Sequence, residues 1–249
     1  MNDSFMVDTE LAGQIAEHAG RLLMDLRHSG LLTDKPLGKL GDELANLFIM
    51  RALRAHRPDD AILSEEEKDS AARLSAQRVW IIDPLDGTRE YSEGRADWAV
   101  HVALAVDGVA TLGAVSLPGH PLTFTSDVAH PRPRHTGKLR IVVSRTRPAA
   151  EAVAVAEALG AELVPMGSAG AKIMAVVRGE ADIYVHSGGQ YEWDSCAPVA
   201  VAQAAGLHAS RLDGSALRYN QANTYMPDLL VCPVELAERV ITLAAQKNS

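Results

Sequence analysis

The hydrophobic and polar positions of the chain predict two long helices followed by several short strands. Apolar residues recur at helical spacing from Thr9 to His28 and again from Asp42 to about His56. The pattern then changes to short β-rich runs, two of which are joined by Asp107-Gly108, a dipeptide typical of hairpin turns. The strands predicted in this half are Ala61–Ser64, Arg78–Asp83, Trp98–Val106, Val109–Leu117 and Leu122–Ser126.

The second half of the chain alternates between predicted strands and predicted helices, which favours an α/β layer. A polar, proline-rich stretch between Asp127 and Lys138 precedes it and is typical of a linker. We therefore predict an α+β domain at 1–138 and an α/β domain at 139–249. The predicted elements of the second domain are the strand Leu139–Ser144, the helix Pro148–Leu159, the strand Glu162–Met166, the helix Ser168–Arg178, the strand Asp182–His186 and the helix Pro198–Ala205.

Composition and charge limit the classes of function. The 249 residues are 47% hydrophobic and carry a formal net charge of −8, which argues against a nucleic-acid-binding surface. No stretch reaches the roughly 18–20 uninterrupted apolar residues of a membrane span, and the N-terminal residues do not follow the pattern of a signal peptide. The two cysteines, Cys196 and Cys232, are too few for a disulfide framework. We expect a soluble, cytoplasmic protein that binds neither nucleic acid nor a membrane.

The segment Asp83–Thr88, with the sequence Asp-Pro-Leu-Asp-Gly-Thr, carries the strongest chemical signal. It follows a predicted buried strand and places two carboxylates three residues apart around a proline, which stiffens the backbone. Both carboxylates and the Leu85 carbonyl can then face one point, and hard cations such as Mg²⁺ prefer these oxygen ligands. Gly87 permits an unusual dihedral angle, and the amides of Gly87 and Thr88 at a helix start would suit a phosphate. The alternative is an exposed Asp-Gly turn with a helix-capping aspartate.

Three motifs in the same order resemble the inositol monophosphatase-like superfamily of lithium-sensitive, metal-dependent phosphatases. Asp83–Thr88 is similar to its signature, Leu63–Glu66 to its Glu-Glu segment, and Trp193–Pro198 to its Trp-Asp-x-x-Ala-x motif. The resemblance spans nearly the whole chain. It implies a five-layer α-β-α-β-α sandwich of the inositol monophosphatase/fructose-1,6-bisphosphatase type, a homodimer and inhibition by lithium.

The resemblance also implies a carboxylate site that holds two or three Mg²⁺ ions. The implied ligands are Glu65, Asp83, Asp86 and Asp194, together with the Leu85 carbonyl. Physical chemistry agrees, because converging carboxylates raise one another's pKa unless cations neutralise them. Paired metals about 3.5–4 Å apart clamp the attacking and leaving oxygens of an in-line displacement. An activated water, oriented by Glu65 and the Thr88 hydroxyl, would be the nucleophile.

Glu66 and Asp42 are further candidates for catalysis. Glu66 would be a base behind the metal ligands or a ligand of a third metal, and its alternative is a solvated acidic residue. Asp42 stands where relatives carry an aspartate that opens the second helix and is often assigned to a third metal. Its alternative is a helix N-cap. The run Lys35–Gly41, just before Asp42, departs from the Lys-x-Asp-x-Ser-Pro-x-Thr pattern of many relatives.

Residues of the second half bear on the substrate. Inositol-type members carry a carboxylate seven residues before the Trp-Asp aspartate, and Ser187 in that place counts against an inositol phosphate. The loop Gly167–Lys172 resembles that of 3′(2′),5′-bisphosphate nucleotidases, the CysQ group, and the chain looks most like its actinobacterial members. The substrate contacts implied are Asp86, Gly87, Thr88, Ser144, Arg145, Ser168, Lys172, Arg218 and Tyr219.

The leading hypothesis is hydrolysis of the 3′-phosphate of adenosine 3′,5′-bisphosphate, and also of its 5′-phosphosulfate, in sulfate assimilation. Inositol 1-phosphate or fructose 1,6-bisphosphate is the alternative substrate. A hypothesis of a different class is a regulatory protein that keeps the fold without catalysis, ranked lower because every implied metal ligand is present. We interpret His18, His101 and His208 as core or boundary residues, and Cys196 as a small buried residue.

Overall fold

The computed structural model describes residues 6–131 and 137–246, which form two five-stranded sheets and seven α-helices. Part of the predicted linker, residues 132–136, lies outside the described residues. Within the described ranges, no helix is both long enough and apolar enough to cross a membrane. The two sheets take their strands from successive parts of the chain, 61–125 and 140–233.

The first sheet is built from the β-rich runs that follow the two long helices. Its strands are β1 (Ala61–Ser64), β2 (Arg78–Asp86), β3 (Ala99–Val106), β4 (Val109–Leu117) and β5 (Leu122–Thr125). They lie in chain order, with β1 parallel to β2 and every later neighbour antiparallel. Asp107 and Gly108 have φ angles of 51° and 75°, as a tight hairpin between β3 and β4 requires.

Two long helices, α1 (Asp8–His28) and α2 (Asp34–His56), cover one face of this sheet. Leu23 and Ile49 from the helices share one buried cluster with Trp80 from β2. Helix α2 begins at Asp34 rather than at Asp42, so the predicted start is wrong. The early start is possible although Pro36 lies in the first turn, because the first-turn N–H groups have no intrahelical partner. Asp42 therefore lies inside the helix, and its alternative interpretation as an N-cap is also wrong.

The second sheet contains both predicted and unpredicted strands. Its strands are β6 (Arg140–Ser144), β7 (Glu162–Met166), β8 (Ile183–Tyr191), β9 (Leu207–Ser210) and β10 (Tyr225–Pro233), in the order β7-β6-β8-β10-β9. β6 is parallel to β7 and β8, whereas β10 is antiparallel to β8 and β9. The helices α4 (Ala150–Leu159) and α7 (Val234–Ala245) pack on its outer face. The hydrophobic pattern predicted none of β9, β10 and α7.

The helices α5 (Ala169–Val177) and α6 (Glu192–Ala204) lie between the two sheets. One buried cluster there unites Ile81 from the first sheet, Val199 from α6 and Val231 from the second sheet. Helices and sheets thus alternate in five layers, which confirms the fold that the resemblance implies. Helix α6 begins at Glu192 and not at the predicted Pro198, and this correction places Asp194 in the first turn of a helix.

Candidate metal and phosphate site

The strand β2 delivers two carboxylates at its buried end. Asp83 is 1% exposed and Asp86 is 6% exposed. Asp83 pairs with His101 on β3 while Asp86 pairs with Ala99, so β2 advances three residues where β3 advances two. This irregularity is a bulge, which changes the direction of side chains at a strand end. It falls at Pro84, and Asp83 Oδ1 accepts a hydrogen bond from the Leu85 amide at 3.1 Å.

Helix α6 brings a third carboxylate to the same place. Asp194 lies in its first turn, and its Oδ2 accepts a hydrogen bond from the Tyr191 amide at 2.6 Å. The carboxylate oxygens of Asp83, Asp86 and Asp194 lie within 4.8 Å of one another. The structure therefore joins two motifs that lie more than one hundred residues apart in the sequence. Such a group of oxygen ligands suits a hard divalent cation.

The electrostatics of the carboxylates also favour a cation. Burial, together with the charges of Glu65 and Asp86, raises the pKa of Asp83 well above its usual range. Burial and the charge of Asp86 raise the pKa of Asp194 to about 8. Carboxylates that resist ionisation in this way gain most from a positive charge placed among them. The residues present therefore fit a bound Mg²⁺ ion.

Glu65 adjoins these three carboxylates immediately after β1. Its amide donates a hydrogen bond to the Ile82 carbonyl at 3.2 Å, which holds the segment against β2. Desolvation, with the charges of Glu66 and Asp86, raises the pKa of Glu65 to about 7, and a hydrogen bond with Asp83 opposes that rise. Glu65 thus shares a hydrogen bond with the cluster, although its carboxylate is not one of the three that lie within 4.8 Å of one another.

Asp42 and Thr88 form a second polar group beside the cluster. The Thr88 hydroxyl lies 3.2 Å from the Leu85 carbonyl oxygen and 3.5 Å from Asp42 Oδ1. Burial, followed by the charge of Glu66, raises the pKa of Asp42 to about 8. These residues border a cavity of about 670 Å³. Its lining also includes residues of the run that departs from the family pattern, together with Glu66 and Arg89.

The predicted phosphate-binding backbone has the expected conformation at Gly87. Gly87 has φ 90° and precedes the short helix α3 (Thr88–Ser92). A side chain there would be strained, and its Cβ would lie 3.0 Å from Ser168 Cβ. Ser168 caps α5 by accepting a hydrogen bond from the Ala171 amide at 2.9 Å. The amides of Ala169 and Gly170 donate to Asp86 at 3.2 and 2.6 Å, so α5 begins directly against a metal-ligand candidate.

Lys172 lies near the cluster but points into the protein interior. Its side chain donates to the carbonyl oxygens of Gly167 and Ser168, the latter at 2.8 Å, and the residue is 4% exposed. Burial lowers the pKa of Lys172 to about 8, although the charges of Asp86 and Asp194 oppose that change. In the described structure its ammonium therefore holds the loop before α5.

Three of the four remaining predicted substrate contacts bond to other residues of the protein. Arg145 makes ion pairs with Glu90 and Glu93, both at 2.8 Å. Ser144 accepts a hydrogen bond from the Arg147 amide at 3.2 Å. The last two predicted contacts lie in the loop before β10, where Arg218 is exposed and the buried Tyr219 has its hydroxyl 3.3 Å from Ser195 Oγ.

Two polar residues of this region were not predicted as functional. His101 is fully buried, with Nδ1 3.0 Å from the Trp193 carbonyl oxygen and Nε2 3.3 Å from Asp86 Oδ2. Glu192 is also fully buried, and it accepts hydrogen bonds from the amides of Asn220 and Gln221 at 2.5 and 2.7 Å. A signal was available for Glu192, since it directly precedes the Trp-Asp motif. The contact between His101 and Asp86 follows from the register of β3 against β2, which the sequence does not reveal.

Comparisons with known proteins agree with this geometry. The model of the inositol monophosphatase family matches residues 14–249. The 3′-phosphoadenosine 5′-phosphate phosphatase of Mycobacterium leprae is 49% identical over 247 aligned positions, covering 93% of this chain and 91% of that protein. The 3′(2′),5′-bisphosphate nucleotidase CysQ of Escherichia coli is 29% identical, covering 74% of this chain and 80% of that protein.

Solved structures are similar over nearly the whole fold. CysQ from Bacteroides thetaiotaomicron is 24% identical, with a TM-score of 0.80 over 93% of this chain and 99% of that chain. An inositol monophosphatase from Anabaena is 22% identical, with a TM-score of 0.79 over 96% of this chain and 95% of that chain. At these identities the similarity bears on the fold alone.

Proposed function

Because the chain belongs to the inositol monophosphatase family, we propose that it is a phosphatase that hydrolyses the 3′-phosphate of adenosine 3′,5′-bisphosphate. One observation carries the proposal. Asp83, Asp86 and Asp194 converge within 4.8 Å in a chain that is 49% identical to a 3′-phosphoadenosine 5′-phosphate phosphatase. The 5′-phosphosulfate form of the same nucleotide is a further proposed substrate, and sulfate assimilation is the proposed source of both.

The proposed cofactor is Mg²⁺, in two or three ions. The residues that would hold it are Glu65, Asp83, Asp86, Asp194 and the Leu85 carbonyl, with Asp42 and Glu66 on the side of a third ion. Bound Mg²⁺ supplies the positive charge that stabilises the oxygens of the transferring phosphoryl group. Glu65, whose carboxylate shares a hydrogen bond with Asp83, is the proposed base for a water proton. The Thr88 hydroxyl, placed by the Leu85 carbonyl, is the proposed group that orients this water.

Direct attack by water is favoured over a covalent intermediate on a cysteine. Cys196 lies within the Trp-Asp motif, and it is fully buried. Burial raises the pKa of its thiol well above the usual range, which opposes formation of a thiolate nucleophile. Cys196 and Cys232 are both free thiols, as a reducing compartment favours, and we propose a cytoplasmic location.

One observation keeps an inositol phosphate as the second candidate substrate. Ser187 occupies the place of the carboxylate found in inositol-type members, but its hydroxyl donates to Glu151 at 2.6 Å. Helix α4 thus brings a carboxylate beside Ser187, and Glu151 is only partly buried. A carboxylate in this region can accept hydrogen bonds from ring hydroxyls.

A substrate panel tests the proposal. Phosphate release would be measured with adenosine 3′,5′-bisphosphate, its 5′-phosphosulfate form, inositol 1-phosphate and fructose 1,6-bisphosphate, each with Mg²⁺ and with a chelator. We expect the nucleotides to be the best substrates and the chelator to abolish turnover. Asp83→Asn is expected to remove activity, whereas Asp127→Asn, at an exposed turn, should retain it. A clear preference for inositol 1-phosphate would reject the proposed substrate.

The same assays address the other implied properties. Millimolar lithium is expected to inhibit turnover, and full activity in lithium would contradict that expectation. A homodimer is proposed on the family resemblance, and sedimentation equilibrium tests it. A regulatory protein without catalysis is disfavoured because the carboxylates converge. That hypothesis would be supported by a cellular phenotype that survives in the Asp83→Asn variant.

A further inference from the structure

Three aromatic rings, two exposed and one partly buried, form a group at the end of β8, which we call the aromatic shelf (Tyr191, Trp193 and Tyr225). The rings of Tyr191 and Trp193 are stacked, with centroids 4.9 Å apart and an interplanar angle of 10°. The ring of Tyr225 meets Tyr191 edge-on at 5.8 Å. Tyr191 is 42% exposed and Tyr225 is 39% exposed. Large aromatic rings usually bury their area, so an exposed stacked group indicates a surface suited to a ligand.

The backbone holds the shelf in one arrangement. Tyr191 lies directly opposite Tyr225 in the antiparallel pairing of β8 with β10. The Tyr225 hydroxyl accepts a hydrogen bond from the Gly189 amide at 3.2 Å, and the Glu192 amide donates to the Thr224 carbonyl at 2.9 Å. A ring that is already ordered loses little conformational freedom when a ligand stacks on it. The shelf is therefore preorganised for a flat partner.

The shelf is continuous with the carboxylate cluster. The Tyr191 amide donates to Asp194 Oδ2 at 2.6 Å, and Trp193 directly precedes Asp194 in the first turn of α6. The Trp193 carbonyl in turn accepts from His101, whose ring also faces Asp86. These bonds tie the backbone that carries Tyr191 and Trp193 directly to the carboxylate cluster.

A small cavity is lined in part by Gly188 and Gly189, near the end of β8. Its volume is about 320 Å³. It is lined by the ends of β6 and β8 and the start of α4, with Ser144, Arg147, His186, Ser187, Gly188 and Gly189 among its residues. Because the Tyr225 hydroxyl binds the Gly189 amide, the shelf borders this cavity. A ligand on the shelf therefore has an open pocket beside it for a polar substituent.

We propose that the aromatic shelf binds the nucleobase of the substrate by stacking on Tyr191. This inference rests on the proposed function, since only a nucleotide ester brings a base to the site. Every base has a π-face that stacks on an aromatic ring. Trp193 covers one face of the Tyr191 ring, and the exposed area of Tyr191 leaves room for the base. The shelf would then distinguish nucleotides from sugar and inositol phosphates.

The test compares a nucleotide with a matched ester that lacks the base. The two substrates are adenosine 3′,5′-bisphosphate and 1,4-anhydroribitol 3,5-bisphosphate, which keeps both phosphates. We expect Tyr191→Leu to lower the ratio of their kcat/KM values by about 10-fold or more, mainly through the KM of the nucleotide. Tyr191→Phe keeps the ring and should preserve the ratio. The matched control is Leu122→Ala, which removes an exposed apolar side chain from β5 of the first sheet and should leave the ratio unchanged.

An equal loss of kcat/KM for both esters would show that Tyr191 only supports the fold, and an unchanged ratio would show that the base binds elsewhere. Either result overturns the proposal. If Tyr191→Leu does not fold, Tyr225→Leu provides the second variant, with the same expected direction. Should Tyr191→Leu change the sedimentation of the protein but not the ratio, the shelf is a contact between copies of the chain, and the proposal is rejected.

Failure of the proposed function can be separated from failure of this inference. If the wild-type protein does not hydrolyse the nucleotide, the proposed function fails, but binding of adenosine 5′-phosphate can still be measured by calorimetry with Mg²⁺. A shelf that stacks the base would bind adenosine 5′-phosphate more tightly than ribose 5-phosphate, and Tyr191→Leu would remove most of that difference. Equal binding of the two probes by the wild-type protein would overturn the inference directly.

Discussion

His101 connects the two elements that deliver the carboxylates. Its Nδ1 lies 3.0 Å from the Trp193 carbonyl oxygen, and because a carbonyl can only accept, Nδ1 carries the proton. Nε2 then faces Asp86 Oδ2 at 3.3 Å. The imidazole thus spans from the end of β2 to the first turn of α6. Nε2 has no hydrogen-bond partner among the described residues, so His101 acts through its bond to Trp193, which holds the first turn of α6 beside Asp86. Groups that position metal ligands from behind influence metal affinity.

Replacing His101 by phenylalanine should weaken Mg²⁺ binding. The ring volume is largely kept, but the Trp193 carbonyl loses its hydrogen-bond donor, so the first turn of α6, which carries Asp194, is held less firmly. We expect a loss in Mg²⁺ affinity of about 10- to 100-fold, measured by titration calorimetry. His101→Asn can still donate one hydrogen bond, so its Mg²⁺ affinity should lie between those of the wild-type protein and His101→Phe. The control is His208→Phe, because the His208 ring bonds only to Ser210 on β9 in the described structure; this variant should keep the wild-type Mg²⁺ affinity. Wild-type affinity in His101→Phe would contradict this role.

At the scale of single residues, the sequence alone predicted those site residues that lie in short contiguous motifs. Asp83, Asp86 and Asp194 were predicted because each stands in a short, ordered motif, and the structure brings them together. His101 was not predicted, because its contact with Asp86 follows from the register of β3 against β2. For Lys172, the sequence indicated a cation near the site but not the inward direction of the side chain, which depends on packing.

Among the elements, α6 is placed by a close contact with β4. A Cβ at Gly113 on β4 would lie 2.4 Å from the Ala197 carbonyl oxygen and 2.8 Å from its Cα. Both are backbone atoms of α6, so they can move aside only if the helix moves. Gly113 therefore permits the close approach of the strand to the helix that carries Asp194.

Adding one methyl group at this contact should destabilise the fold. Gly113→Ala is expected to lower the free energy of unfolding by about 1–3 kcal/mol, since the extra methyl group overpacks a rigid backbone contact. Chemical denaturation would measure the change. The matched control is Gly13→Ala in α1, where the new Cβ meets only the Thr125 side chain at 3.0 Å and alanine favours the helix. Equal stability of Gly113→Ala and the wild-type protein would disprove the contact.

The bounds of the helices and strands show where the local hydrophobic pattern predicts an element correctly and where it does not. The strands of the first sheet lie within a few residues of their predicted bounds, because the apolar runs of its central strands are continuous and are buried on both faces. Helix α6 starts at Glu192 rather than at the predicted Pro198 and tolerates the proline inside, although proline is most common in a first turn. Strand β10 was missed because it contains Pro227 and ends at Pro233, which oppose a strand prediction.

On the scale of the whole molecule, the site lies where the two halves of the chain meet. The first half contributes Asp83 and Asp86, and the second half contributes Asp194. The central helices pack against both sheets in one buried cluster, so the separation between these carboxylates depends on the complete fold. The resemblance of three motifs predicted the five layers, but the order of strands in each sheet involves long-range pairing that composition and periodicity do not encode.

This arrangement makes the effect of Mg²⁺ on stability depend on pH. The pKa values of Asp42 and Asp194 in the folded protein are about 8, and that of Glu65 is about 7, all above their usual range. Between about pH 4 and pH 8 the metal-free folded protein binds more protons at these groups than the unfolded chain. Their contribution to stability is therefore present at low pH and is lost as pH rises through the folded-state values.

Mg²⁺ competes with these protons, so it should stabilise the fold more at high pH. We expect the Mg²⁺-induced rise in Tm to be clearly larger at pH 8.5 than at pH 6.0, measured by thermal unfolding against potassium chloride of equal ionic strength. Burial lowers the pKa of His186 to about 4, so this residue makes the fold more stable as pH rises. Because it does so with and without Mg²⁺, its effect cancels in the Mg²⁺-induced change in Tm. The rise should be absent in Asp83→Asn. An equal or larger rise at pH 6.0 would show that protonated carboxylates do not limit metal binding.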